Sequence, residues 1–201
     1  MRYGMVINLK RCTGCNSCSV ACRAENGTPP GILYHRVEKY EAGKYPAARM
    51  QFRPILCMHC AEPACLEVCP TGATYKRDDG IVLIDHSKCM GCRYCVLACP
   101  YGARHLLERI VNYFGTSVST PYEILKQKDF DTGTAVKCDF CVTRLEKGRL
   151  PVCMETCPAQ ARHFGDLDDP RSEISELIAI GRGTVLREEL GTKPSVYYIN
   201  S

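Results

Sequence analysis

Residues 89–100 read Cys89-Met90-Gly91-Cys92-Arg93-Tyr94-Cys95-Val96-Leu97-Ala98-Cys99-Pro100. Four cysteines fall in one short run, separated by two, two and three residues. The same spacing occurs at Cys12, Cys15, Cys18 and Cys22. Two looser versions complete the set. Cys57, Cys60, Cys65 and Cys69 have gaps of two, four and three, and Cys138, Cys141, Cys153 and Cys157 have gaps of two, eleven and three. In chain order these are groups one (from Cys12), two (from Cys57), three (from Cys89) and four (from Cys138). The 201 residues contain 16 cysteines, and the four groups use them all. That density is far above the average for a soluble domain, and disulfides, zinc and iron–sulfur clusters are the candidate explanations.

The repetition goes beyond cysteine. Cys69-Pro70-Thr71-Gly72-Ala73, Cys99-Pro100-Tyr101-Gly102-Ala103 and Cys157-Pro158-Ala159-Gln160-Ala161 share the frame Cys-Pro-x-x-Ala, which argues for duplicated modules. In a C-x2-C-x2-C-x3-C run the first three thiolates wrap one iron–sulfur cube and the fourth binds a neighbouring cluster. Proline after that ligand suits the turn by fixing φ. Group one departs, since Arg23 follows Cys22, but every ligand is in place.

If the fourth cysteine crosses in every group, four ligand sets follow. The first is Cys12, Cys15, Cys18 and Cys157. The second is Cys138, Cys141, Cys153 and Cys22. The third is Cys57, Cys60, Cys65 and Cys99, and the fourth is Cys89, Cys92, Cys95 and Cys69. Groups two and three pair because they are close in sequence; the outer pairing follows by elimination. The uncrossed arrangement, in which each group closes its own cluster, stays open.

The competing explanations fit less well. A disulfide framework suits a secreted chain below about 100 residues that lacks a real core. Zinc ribbons use two separated knuckles per site, whereas Cys12, Cys15 and Cys18 crowd three ligands into one loop. Group four alone has a zinc-like look, but beside the others it reads as a cluster loop with an insertion. Thioredoxin-type redox chemistry needs one exposed CxxC pair in a different frame.

Charge follows the same reasoning. The formal +4 counts thiols as neutral, and four clusters with thiolate ligands turn it into roughly −4. The lysines and arginines then compensate anionic clusters, and a nucleic-acid partner loses its main support. Arg11, Lys88 and Lys137 each precede the first cysteine of a group; they either offset cluster charge or are solvated surface charges. His59 lies inside the group-two loop and reads as a structural histidine, with orientation of the loop or donation to a sulfur as the other option. The remaining histidines show no ligand spacing.

The opening Met1–Cys12 segment has no long apolar h-region, no small-residue cleavage site and no twin arginine, so no targeting signal is expected. No run of about 18 apolar residues occurs, so no spanning helix is expected and membrane attachment would come through a partner. The compartment is cytoplasmic, or extracytoplasmic by co-export with a signal-bearing partner.

Short strands are expected over residues 2–9, Tyr34–Tyr40, Phe52–Leu56 and Val196–Ile199, with a hairpin of Thr74–Lys76 and Ile81–Ile84 around Asp78-Asp79-Gly80. Leu106–Phe114 is read as a helix, Gly115–Thr120 as its break, and Pro121–Lys128 as a second helix. Asp169-Pro170 is read as a helix start, with Ile174, Leu177 and Ile178 as its buried stripe and Gly181 as its end. The expected fold is α+β: two bacterial-ferredoxin-like modules with two [4Fe–4S] clusters each, the second inserted in the first, with short antiparallel hairpins and small helices. Residues 1–56 and 138–201 form the outer module, 57–105 the inner one, and 106–137 an insert that is a docking surface or a plain excursion.

The sequence also resembles a known family. Met5-Val6-Ile7-Asn8-Leu9-Lys10-Arg11-Cys12-Thr13-Gly14-Cys15, Ala21–Asn26, Cys57-Met58-His59-Cys60, Lys137-Cys138-Asp139-Phe140-Cys141 and Gly165–Pro170 are similar to the iron–sulfur subunits of dimethyl-sulfoxide-reductase-superfamily molybdopterin enzymes. Polysulfide, thiosulfate, tetrathionate, dimethyl sulfoxide and arsenate reductases belong there. The resemblance implies a large catalytic partner carrying a molybdenum or tungsten pterin, and a membrane or quinone-linked subunit or a soluble carrier at the other end. It places the group-one cluster nearest the catalytic partner, then those of groups four, two and three. Cys92 is present where some relatives lack a cysteine, which implies four cubanes. On this reading the chain is an electron-transfer subunit of an oxidoreductase with no active site of its own. The alternatives are a free-standing polyferredoxin, a cluster subunit of a hydrogenase-type complex, and a structural zinc protein.

Overall fold

A computed structural model describes residues 1–115 and 119–200. The first strand, β1 (Tyr3–Asn8), is followed by α1 (Ser17–Asn26), β2 (His35–Ala42), β3 (Arg49–Leu56) and α2 (Ala64–Glu67). Then come β4 (Thr74–Lys76), β5 (Val82–Ile84), α3 (Tyr94–Ala98), β6 (Arg104–Leu106), α4 (Pro121–Gln127) and β7 (Ala135–Lys137). The last stretch holds α5 (Val142–Leu145), α6 (Val152–Glu155), β8 (Arg162–Asp166), α7 (Glu173–Ile180) and β9 (Val196–Ile199). The architecture is mixed, with small sheets and short helices.

The largest sheet joins the two ends of the chain. β1 is central, antiparallel to β8 with Ile7 opposite Arg162, and parallel to β9 with Met5 opposite Val196. Successive residues of a strand point to opposite faces. Val6 packs with Ile174 and Ile199 under α7, while Met5 and Ile7 join the main core with Phe164, Phe140 and several cysteines. One face therefore carries a plain apolar helix and the other carries sulfur. Two further pairs matter for the site: β4 with β5, and β6 with β7, where Leu106 lies opposite Ala135.

Most expected strands are present. β2 and β3 run longer than read, in register from His35–Leu56 to Ala42–Arg49. Pro121–Lys128 is a helix, α4, capped by Lys128 and opened by a capping box in which Thr120 and Glu123 satisfy each other's backbone.

Two readings are corrected. Leu106–Phe114 is not a helix. Leu106 belongs to β6, Leu107 N–H donates to Thr134 O at 2.9 Å, and Gly133 N–H donates to Leu107 O at 2.7 Å, so the start of this stretch is held in a strand-like ladder, and residues 108–112 form no regular element. Of the expected break after it, residues 116–118 lie outside the described residues. The helix near the end starts at Glu173, not at Pro170. Ser172 is its N-cap, accepting from the Ser175 N–H, while the Asp169 carboxylate holds the Arg171 N–H in the turn before it. Of the expected stripe Ile174 is buried and Leu177 and Ile178 pack half-buried beside it, and Gly181 caps the end.

Candidate metal centre

The four cysteine loops share one backbone device. The residue before the second cysteine is left-handed in all of them: Gly14 at φ 68°, His59 at 43°, Gly91 at 70° and Phe140 at 57°. The third residue after the last cysteine is left-handed in three, at Gly72 (63°), Gly102 (56°) and Gln160 (46°). These reversals turn each run of cysteines inward. Group one lacks the second, because Cys22 lies inside α1, which continues to Asn26.

Three cysteine quartets each wall a cavity. Cys12, Cys15, Cys18 and Cys157 line one, together with Arg162. Cys57, Cys60, Cys65 and Cys99 line another, with Val82 and Arg104. Cys69, Cys89, Cys92 and Cys95 line a third, with Thr74 and Ala135. The remaining four, Cys22, Cys138, Cys141 and Cys153, are all buried. Burial first, then the Cys153 and Cys141 sulfurs, raise the Cys22 thiol far above its ordinary pKa, and Cys22 and Cys141 in turn act on Cys138.

Neighbouring quartets share helices. Cys18 and Cys22 lie one turn apart on α1, which packs on α6; Cys153 is on α6 and Cys157 just beyond it. Cys65 on α2 and Cys95 on α3 have Cys69 and Cys99 just past their ends, and those two helices pack together. Between these pairs of quartets Cys57 lies within electrostatic reach of Cys138.

The walls suit an anionic metal–sulfur group. A zinc ion would draw four sulfurs to about 2.3 Å from one point. Among the described residues no three His, Cys, Asp or Glu side chains converge on such a point; the quartets surround volumes instead. Burial pushes the Cys60 and Cys141 thiols up to about 12 and the Cys65 thiol up to about 11. Bare thiolates are disfavoured there, and metal coordination is what deprotonates such thiols. Backbone N–H groups already point at sulfur: Thr74 to Cys69 at 3.4 Å, Ala135 to Cys89 at 3.4 Å and Ala161 to Cys157 at 3.3 Å. Such bonds and the dryness of the site set a cluster's potential.

His59 packs between the loops of groups two and four. It is wholly buried, accepts the Val82 N–H on Nδ1 at 3.1 Å and stacks on Phe140, and burial ahead of the Lys137 and Arg104 charges keeps its ring neutral. The three cations read as preceding a group divide. Arg11 is exposed, and Lys88 is exposed and paired with Asp85 at 2.9 Å, so both are solvated charges. Lys137 is buried.

Sequence reading missed two further buried cations beside the cysteine cavities, Arg104 and Arg162. Their signal is visible in the repeats. Ala103-Arg104-His105 and Ala161-Arg162-His163 extend the Cys-Pro-x-x-Ala frame by the same two residues. Arg162 lines the Cys12 cavity and lies 3.9 Å from the Cys153 sulfur of the next quartet. Arg104 lines the Cys57 cavity, and its Nη1 donates to Thr74 Oγ1 at 2.9 Å on the wall of the Cys69 cavity. Among the described residues its buried Nε and Nη2 find no hydrogen-bond partner within normal bonding distance.

A family model described as a 4Fe-4S dicluster domain matches residues 48–112 and 112–167, and a second of the same description matches residues 11–73. A selenate reductase subunit of Mesobacillus selenatarsenatis is 47% identical over 210 residues, covering 99% of this chain and 72% of the relative. A tetrathionate reductase subunit of Salmonella typhimurium is 42% identical over 202 residues, covering 98% and 72%. The arsenate respiratory reductase iron-sulfur subunit of Shewanella sp. strain ANA-3 is 39% identical over 228 residues, covering 100% of this chain and 97% of the relative.

Proposed function

This chain belongs to the 4Fe-4S dicluster family of iron–sulfur reductase subunits, and from that premise we propose that it is the electron-transfer subunit of a molybdopterin oxidoreductase, holding four [4Fe–4S] clusters. What supports this reading most is that three sets of four cysteines each line a cavity and the remaining four are all buried, with Cys18 and Cys22 on one helix and Cys65 and Cys69 at another. The first cluster takes Cys12, Cys15, Cys18 and Cys157, and the second takes Cys22, Cys138, Cys141 and Cys153. The third takes Cys57, Cys60, Cys65 and Cys99, and the fourth takes Cys69, Cys89, Cys92 and Cys95. The two-cluster unit of groups two and three is inserted within that of groups one and four, a reading supported by the sheet that ties β1 to β8 and β9.

Bound there, the clusters supply one-electron chemistry. The protein supplies thiolate ligands, N–H groups aimed at sulfur and a dry surround. Substrate chemistry lies in a large catalytic subunit with a molybdenum or tungsten pterin; electrons enter or leave at the far end through a membrane subunit or soluble carrier. Among the described residues no helix is long and apolar enough to cross a membrane.

The test is anaerobic purification with counting of iron and acid-labile sulfide. The expected result is about sixteen irons with matching sulfide, and co-purification with a large molybdenum or tungsten protein. A colourless, sulfide-free preparation overturns the cluster reading. A chain fully active as a lone diffusible carrier overturns the subunit reading.

A further inference from the structure

Three cations are buried in this protein without a carboxylate. Arg104 is 3%, Arg162 3% and Lys137 5% exposed, and among the described residues none of them enters an ion pair. The buried Arg144 differs, since it is bound by Glu25 and Glu155. A buried charge with no counter-ion is too costly to keep. Each of the three must therefore face negative charge that the protein itself does not provide as a carboxylate.

Their positions are regular. Arg162 lines the Cys12–Cys15–Cys18–Cys157 cavity and reaches Cys153 of the next quartet; its other neighbours are the Met5 sulfur at 3.3 Å and the neutral His35. Lys137 precedes Cys138. Its Nζ donates to the Cys138 carbonyl at 2.7 Å and to the carbonyl of Val82, a residue that lines the Cys57–Cys60–Cys65–Cys99 cavity. Arg104 lines that same cavity and is tied to Thr74, whose N–H donates to Cys69 of the last quartet. On the four-cluster reading each cation thus lines or contacts residues of two quartets: Arg162 those of Cys12 and Cys153, Lys137 those of Cys138 and Cys57, and Arg104 those of Cys57 and Cys69.

We infer that Arg162, Lys137 and Arg104 are the built-in counter-ions of the electron path, each raising the reduction potential of the two clusters it stands between. The inference rests on the four-cluster reading. An oxidised site with its four thiolates carries two negative charges and a reduced one carries three. In each hop one electron leaves a reduced cluster and arrives on its oxidised neighbour. A cation in the gap attracts that electron on either side, so it lifts both potentials together and opens no step between them. Its burial keeps the effect from being screened by solvent.

The experiment uses the full chain purified anaerobically with its catalytic subunit, as wild type and as R162M, K137M and R104M. Iron is counted and the four midpoint potentials are read by EPR-monitored redox titration. R162M is expected to lower two of the four potentials, R104M the other two, and K137M one from each set. This pattern needs no prior assignment of signals. The charge-keeping variants R162K, K137R and R104K are expected to restore wild-type potentials. If all four potentials stay in place, if they fall together, or if R162M and R104M move the same cluster, the inference is overturned. A methionine variant that loses iron is replaced by its glutamine counterpart, read the same way. Should both neutral forms lose iron, the charge-keeping variants decide: unchanged potentials support the inference and displaced ones overturn it. Too few irons in the wild type would defeat the four-cluster reading instead, so the two failures are distinct.

Discussion

The His59 ring lies against the Phe140 ring, with centroids 3.8 Å apart and planes 25° from parallel. Each residue directly precedes the second cysteine of its group, in left-handed backbone. The loops of groups two and four thus meet ring to ring, and Phe164 meets Phe140 edge-on at 5.2 Å. A bulky residue with positive φ is unfavourable locally, so packing between the loops is what keeps Phe140 there. Phe140→Ala removes a fully buried ring and is expected to cost about 3–5 kcal/mol. Thermal bleaching of the visible iron–sulfur absorbance checks it; a midpoint equal to wild type rejects the stack as a structural joint.

The crossing of the fourth cysteine is open to a comparison of ligand variants. Cys157 faces the cavity of Cys12, Cys15 and Cys18, although its own group supplies Cys141 to another quartet. Cys157→Ser and Cys15→Ser are therefore expected to disturb the same EPR signal of the reduced protein, and Cys141→Ser a different one. If Cys157→Ser and Cys141→Ser disturb the same signal, each group closes its own cluster.

Gly91 and Gly72 offer a controlled pair. Both are left-handed, but a Cβ on Gly91 meets the Gly133 carbonyl oxygen at 2.1 Å, whereas one on Gly72 meets nothing within 4 Å. Gly72→Ala bears only the backbone penalty, about 1–2 kcal/mol. Gly91→Ala must also push away the Gly133 turn, two residues before Ala135 on the wall of the Cys89 cavity, and is expected to lose about four irons. Iron content of the two variants tests this: equal, full occupancy would show that the Gly133 turn yields without harm.

The cysteine groups were legible because each run is local, and a local spacing survives whatever surrounds it. The helix α1 was not. Its buried residues are Cys18 and Cys22, so its periodicity is written in ligands rather than in apolar side chains. The opposite error occurred at Leu106–Phe114, where Leu107, Ile110, Val111 and Phe114 imitate an amphipathic stripe. There the pairing of β6 with β7, set by residues about 30 positions away, takes the backbone. The same pairing separates Lys137 from Lys88 and Arg11, which look alike in sequence: Lys137 ends β7 inside the protein and the other two face water. Arg104 and Arg162 were visible as a repeat, but their burial is a property of the assembled fold.

Glu123 gives a prediction about pH. Its carboxylate accepts the Tyr113 N–H at 2.7 Å and the Thr120 N–H at 2.8 Å, and holds the start of α4 against the segment before it. These backbone donors, Thr120 first and then Tyr113, hold its pKa below the ordinary 4.5. A carboxyl whose folded pKa is depressed contributes stability above its unfolded pKa and loses it as pH falls through the folded value. Protection of the Tyr113 and Thr120 amides from hydrogen exchange is therefore expected to fall as pH drops below about 4.5. Glu123→Gln should lower that protection at neutral pH and remove its acid dependence, while Thr120→Ala, which removes the reciprocal cap, should cost about 0.5–2 kcal/mol locally. Exchange rates at these two amides that match between wild type and Glu123→Gln across this range would show that the carboxylate does not fasten the segment.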